Sequence, residues 1–179
     1  MVFRRFFNRD DAAEYREATL ETMQVGYMVD YDLQTWEVSG YGTYDYDGFI
    51  SREWELRASD SVHFLECSKG DGRLNWTMTS AVAIGDIDGD LVRAISRDGD
   101  PPEMLRYGGK AYSGTESGAG LYRENAEGAG REFVSWSYEA DDGSVLYINQ
   151  WGESDFSASS GQRVEEYQFT DILPVAQEQ

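Results

Sequence analysis

Cysteine, histidine and lysine are nearly absent from this sequence: Cys67 and His63 are the sole members of their kinds, and lysine occurs only at Lys69 and Lys110. A single cysteine excludes an internal disulfide, so the fold does not depend on an oxidising compartment. It also excludes multi-cysteine zinc sites and iron–sulfur clusters. A lone histidine removes the commonest general base. Long apolar runs are missing too, and none approaches the roughly 18 residues that span a bilayer. The basic start MVFRR runs straight into FFNRDDAAEY, with no apolar stretch of the kind a secretory signal carries. These absences point to a soluble, cytoplasmic chain that is not an integral membrane protein.

Positive charge is scarce as well. Thirty-four acids face 15 bases, for a net charge of −19. Such a surface repels phosphate backbones, which need clustered cations, and so argues against a nucleic-acid partner. The acids are spread through every loop rather than gathered in a tail. That distribution suits either a salty cytoplasm, where screening blunts self-repulsion, or an ordinary acidic protein.

What the chain does have is apparent self-similarity. EWELRASDSVHFLECSKGDGRLNW, starting at Glu53, is echoed by SWSYEADDGSVLYINQWGESDF, starting at Ser135. Trp54 aligns with Trp136, Ser61 with Ser144, Phe64 with Tyr147 and Asp86 with Asp171, at separations of about 82 to 85 residues. That period is too long for a solenoid and suits two copies of a small β unit. Aromatic and aliphatic residues alternate with polar ones from Tyr27 onward, and nineteen glycines with many Asp-Gly pairs supply turns. The expected fold is mainly β: two related small β-barrel-like or curved-sheet halves sharing a core, plus one N-terminal helix over residues 8–24. The expected boundaries are 1–24 for a basic-aromatic tip and helix, 25–100 and 101–174 for the two halves, and 175–179 for a tail. Pro101-Pro102 marks the division, and residues 113–131, poor in core residues, read as a long loop or ragged hairpin.

The pieces VGYMVDYDLQTWEVSG, REWEL, HFLE, VLYINQWGESDF and VEEYQFTDIL resemble a bacterial domain-of-unknown-function family numbered 4178, over roughly residues 25 to 174. The resemblance implies a β-rich domain with no established activity. It also implies genes near phage-shock-protein-A-like membrane-stress proteins and polyamine-synthase-like enzymes.

Several constellations invite chemistry. Asp86, Asp88 and Asp90 alternate in GDIDGD, but the sixth and twelfth positions of a calcium loop hold Leu91 and Arg97, so an acidic turn is the expected state. His63 and Cys67, four apart along a strand, stand about 13 Å from each other, too far for a catalytic pair. A half-buried histidine and a structural thiol are expected instead. Glu53, Glu55, Glu66 and Glu139 could form paired carboxylates beside aromatics, although Glu53 and Glu55 read more simply as a solvated face opposite a core Trp54. Trp36, Trp76 and Trp151 with Tyr41, Tyr44 and Tyr46 could line a groove. Phe3, Arg4, Arg5, Phe6 and Phe7 form a basic-aromatic tip suited to an interfacial contact.

No catalytic residues and no cofactor are expected. The reading is a non-enzymatic protein-binding or scaffold module, cytoplasmic and peripheral to the inner membrane, with a membrane-associated protein partner in an envelope-stress system. The alternative is a glycan-binding or glycan-hydrolysing protein using acidic and aromatic residues of a β groove. A deep pocket with two carboxyls within about 10 Å of each other would favour that alternative.

Overall fold

The computed structural model describes residues 18–88 and 90–174. Its strands are β1 (Met28–Tyr31), β2 (Gln34–Tyr46), β3 (Phe49–Ala58), β4 (Ser61–Gly70), β5 (Arg73–Val82) and β6 (Met104–Tyr107). They continue with β7 (Lys110–Glu124), β8 (Arg131–Ala140), β9 (Ser144–Gln150), β10 (Phe156–Val164) and β11 (Phe169–Leu173). A two-turn helix, α1 (Leu91–Asp98), lies between β5 and β6. No helix among the described residues is long and apolar enough to cross a membrane.

Tight hairpins connect most strands because the turns hold residues that tolerate positive φ. Asp47-Gly48 lies at φ 56° and 96°, and Asp71-Gly72 at 50° and 76°, the conformation that matches the right-handed twist of the flanking strands. The sheet runs β11-β1-β2-β3-β4-β5-β10-β9-β8-β7-β6, and β2 also pairs with β7. That extra pairing closes β2 to β5 and β7 to β10 into an 8-strand barrel. Strands from before and after Pro101-Pro102 therefore close one barrel, where two small β units sharing a core were expected.

Two long strands make the closure possible. β2 pairs with β1 from Gln34 to Glu37, then with β7 from Gly42 to Asp45. β7 likewise pairs with β6 from Lys110 to Ser113 and with β2 from Leu121 to Glu124. Each bends at a bulge, around Ser39 in β2 and Thr115 in β7. Both bulged hydroxyls donate to a carbonyl on the next strand, Ser39 to Glu55 at 3.3 Å and Thr115 to Ser137 at 3.0 Å. The extra residue increases local twist and lets the first part of each strand peel away from the barrel.

Strand alternation then sorts the side chains. The outward positions are the apolar ones, and they form two separate clusters. Trp36, Val38, Trp54, Leu56, Leu65 and Trp76 lie under Leu20, Met23, Val29 and Phe169. On the other side, Trp136, Tyr138, Leu146 and Ile148 lie under Leu91 and Ile95 of α1 and Leu105 of β6. Leu91 and Ile95 are four apart, so both fall on the helix face that meets the barrel. Gly99 ends α1 in the left-handed region at φ 84°.

Two sequence expectations change here. The helix expected over residues 8–24 is, in its described part, a single 3-10 turn, Leu20–Thr22. The Thr22 hydroxyl accepts from the Thr19 amide at 2.9 Å and closes the turn, while Leu20 and Met23 are drawn down onto Trp54. Residues 8–17 lie outside the described residues. The loop expected over 113–131 is mostly strand β7. It lacks large side chains because β2 crosses it too closely: a Cβ on Gly120 would lie 2.1 Å from the Asp45 carbonyl oxygen, and one on Gly118 3.0 Å from the Tyr46 ring. Glycine there is a packing requirement rather than a loop signal.

Gly161 makes the same demand where β10 meets β5, since a Cβ would lie 1.9 Å from the Met78 carbonyl oxygen. Gly161→Ala is expected to destabilise the fold by about 1–3 kcal/mol or more through overpacking. Gly152→Ala, with nothing within 4 Å of the added carbon, should leave the urea midpoint unchanged. Equal midpoints for the two variants would show that this crossing relaxes freely.

Candidate binding lumen

The inward positions of the same strands are polar. β3 turns Ser51 and Glu53 inward, β4 Glu66 and Ser68, β8 Ser135 and Ser137, and β9 Tyr147 and Asn149. They enclose a cavity of about 490 Å³. A second cavity of about 560 Å³, opening past Phe64, Tyr122 and Trp151, shares Tyr44, Glu53, Asn149 and Ser159 with the first. The lumen is thus two chambers meeting at a waist. Tyr44 forms that waist, with its ring 4.8 Å from Tyr122 and 5.2 Å, edge-on, from Phe133. An 8-strand barrel is wide enough to be filled by side chains or to hold one small ligand. Here aromatic rings fill the waist and small hydroxyl side chains leave space above it.

Glu53 and Glu66 are directly opposed on β3 and β4, which puts their Cβ atoms about 5 Å apart. Ser51 Oγ donates to Glu66, and the Tyr44 hydroxyl donates to Glu53 at 3.3 Å. Among the described residues, neither carboxyl has a cationic partner at ion-pair distance. Burial pushes Glu53 up to about 8, and the neighbouring Glu66 charge pushes the same way. Burial also raises Glu66, opposed by the Ser51 hydrogen bond. Both effects disfavour the ionised form. The tyrosines around them stay neutral, because burial lifts Tyr46 and Tyr147 each to about 12.

The structure redistributes the residues singled out in the sequence. Of the four acids, Glu53 and Glu66 meet in the lumen, so the face opposite Trp54 is the barrel interior and not a solvated surface. Glu55 lines neither cavity and is held by Ser39 at 2.7 Å and Arg57 at 2.9 Å, which lower its pKa. Glu139 pairs with Arg163 at 2.6 Å. The aromatic groove does not form as one surface. Trp36 and Tyr41 belong to the outer cluster, where the Trp36 indole donates to the Tyr31 carbonyl at 3.2 Å, while Tyr44 and Tyr46 lie inside. Trp76 is buried outside the lumen, and its indole N–H has no hydrogen-bond partner among the described residues.

His63 and Cys67 take separate partners. The His63 Nδ1 lies 2.5 Å from Ser80 Oγ and its ring packs on Trp36. Cys67 is buried near Arg52, and burial raises its thiol pKa. Asp86 lies in a 3-10 turn, Ile84–Asp86, and Asp90 precedes α1. Among the described residues, no three His, Cys, Asp or Glu side chains converge as a metal site. Phe3, Arg4, Arg5, Phe6 and Phe7 lie outside the described residues.

Sequence reasoning passed over the luminal serines, threonine and asparagine. Their signal was present in β8 and β9, where Ser135, Ser137 and Asn149 alternate with Trp136, Tyr138 and Ile148 and carry no charge.

Comparison with known proteins gives a family and no activity. An "Uncharacterized protein" of Aquifex aeolicus (strain VF5) is 27% identical over 155 residues, covering 87% of this chain and 85% of that protein. No solved structure matches. The family described as Domain of unknown function (DUF4178) matches residues 24–166, most of the chain and all the strands that close the barrel. The chain belongs to that family.

Proposed function

We propose that this domain is a binding module whose ligand is a small molecule held inside the barrel, and that it performs no covalent chemistry. The observation that carries the reading is the carboxyl pair Glu53 and Glu66, set in the wall of a partly open polar cavity. Both apolar outer faces of the barrel are already covered, one by β1, β11 and the Leu20–Thr22 turn and the other by α1 and β6. The binding surface moves inward.

Two carboxyls in a deep pocket also meet part of the condition set for a glycan hydrolase. Cleavage asks for more. The two groups must flank the scissile bond, one ionised and one protonated. Glu53 and Glu66 stand side by side on adjacent strands, and burial pushes both towards the neutral acid. Their arrangement favours recognition over hydrolysis.

We also read residues 25–100 and 101–174 as two copies of one unit. Support comes from the matching bulges at Ser39 and Thr115 and from the two tryptophans. Trp54 on β3 opposes Leu65, and Trp136 on β8 opposes Ile148. In that alignment Glu53 and Glu66 correspond to Ser135 and Asn149, which oppose each other in the same way. One wall of the lumen is therefore acidic where its counterpart is neutral.

The test is an amide-resolved NMR titration with a panel of small sugars and amines, run beside a turnover assay on nitrophenyl glycosides. Ligand shifts should gather at Ser51, Thr79 and Ser137, with no nitrophenol release. Shifts confined to outer-face residues, or turnover lost in both Glu53→Gln and Glu66→Gln, would overturn the proposal.

A further inference from the structure

One chamber of the lumen carries a charge imbalance that names its ligand class, whereas the other is lined by Arg123 and Arg131 as well as acids. Asp47, Glu53, Glu66 and Glu116 line the polar chamber of about 490 Å³, and no lysine, arginine or histidine does. An anionic ligand would meet four acids and no cation there. Taking two facing carboxyls out of bulk water is unfavourable unless something compensates them, and none of the described residues places a cation at ion-pair distance from either. We propose that the chamber binds an organic ammonium ion, with Glu53 and Glu66 gripping the cationic nitrogen and Ser135 and Asn149 bonding a neutral polar end. This rests on the reading of the lumen as a ligand site.

The geometry fits that assignment in three ways. An ammonium has three donors and no acceptor, and it meets two adjacent carboxyl groups whose own protein donors are one serine and one distant tyrosine hydroxyl. Tyr44, Tyr46 and Tyr147 line the same chamber, and aromatic faces attract a desolvated cation. A metal ion fits less well, because no third carboxylate, histidine or cysteine joins the pair among the described residues. Asp47 and Phe49 of the β2–β3 turn also line the chamber, and Phe49 is 48% exposed.

Binding must then compete with protons. The titratable groups around the pair are Tyr44 and Tyr46 on β2, Asp47 in the turn after it, Glu55 outside the cavity on β3, Tyr122 and Glu116 on β7, and Tyr147 on β9, with Ser51 donating to Glu66. The tyrosines stay neutral, so it is the carboxyl pair that must lose protons as the ammonium enters. Affinity should rise with pH.

The probes are n-butylammonium, ethanolammonium, neutral n-butanol and calcium chloride, titrated into the full chain and followed by amide NMR. Ethanolammonium and n-butylammonium should shift lumen amides and n-butanol should not. Glu53→Gln and Glu66→Gln should each weaken ammonium binding by at least about ten-fold, as expected for losing a charge-assisted hydrogen bond. The wild type should bind several-fold tighter at about pH 8.5 than at about pH 5.5, a comparison that needs no variant to fold. Equal binding of n-butanol and ammonium, or calcium binding in preference to both, would overturn the ammonium assignment while leaving a luminal site in place. Silence from these probes and from neutral sugars would overturn the luminal site as well.

Discussion

Trp54→Ala should lower the free energy of unfolding by about 3–5 kcal/mol, the largest loss expected from any single outer-wall substitution. Trp54 is fully buried. Its ring lies 5.7 Å from that of Trp76 and 5.4 Å from that of Tyr41, with the Arg52 guanidinium 5.6 Å above it. The indole N–H donates to the Met23 carbonyl at 3.0 Å, so this one side chain fastens the 3-10 turn to the barrel. Truncation leaves a cavity and strips a buried carbonyl of its donor, and both effects destabilise. Against a total of about 5–15 kcal/mol for a domain of this kind, the variant should unfold at far lower urea. A loss below about 1 kcal/mol would mean that the turn and β1 collapse into the gap, and that the outer cover is not fixed by this residue.

The second large effect is on the pH dependence of stability. Glu53 has its pKa raised to about 8 from the ordinary 4.5, so between those values the native state holds a proton that the unfolded chain has released. Stability from this group is complete below the unfolded value and is lost as pH rises towards 8, at about 1.4 kcal/mol per pH unit. Asp45, Glu55 and Asp142 have lowered pKa values, so their contribution is lost only towards acid and is constant over this window. The wild-type urea midpoint should therefore fall by the equivalent of about 3 kcal/mol from about pH 5.5 to about pH 8. Glu53→Gln cannot ionise and should make that slope shallower, leaving the part that Glu66, raised in the same direction by burial, contributes, and making the variant the more stable protein at the alkaline end. A wild type with no slope across this range would place Glu53 in ordinary solvent.

How far the sequence could be read depended on which neighbours set each residue's environment. Strands such as β1, β3 and β9 were legible because aromatic and aliphatic residues alternate with polar ones, and turns because Asp-Gly pairs suit positive φ. β7 was not, since Gly118 and Gly120 are fixed by a strand more than seventy residues earlier in the chain, and no local pattern reports that crossing. α1 escaped notice at two turns in length, although Leu91, Ile95 and Gly99 carried its face and its stop. Glu53 and Glu66 were visible as acids near aromatics. What alternation cannot give is the curvature that closes a sheet. A polar face on an open sheet meets water, and the same face on a closed one becomes an interior.

Because the apolar material sits on the outer wall, holding the barrel together and choosing its contents fall to opposite faces of the same strands. Trp54, Leu65, Trp136 and Ile148 anchor the wall, while the side chains one position away along each strand face the space inside. Substitutions at Ser68, Thr79, Ser135 or Ser159 that respect size should alter what the vessel accepts with little effect on its melting. Relatives built on this plan can keep the tryptophans and exchange the contents, and a designed library confined to the inner positions would sample new ligands without searching for a new fold.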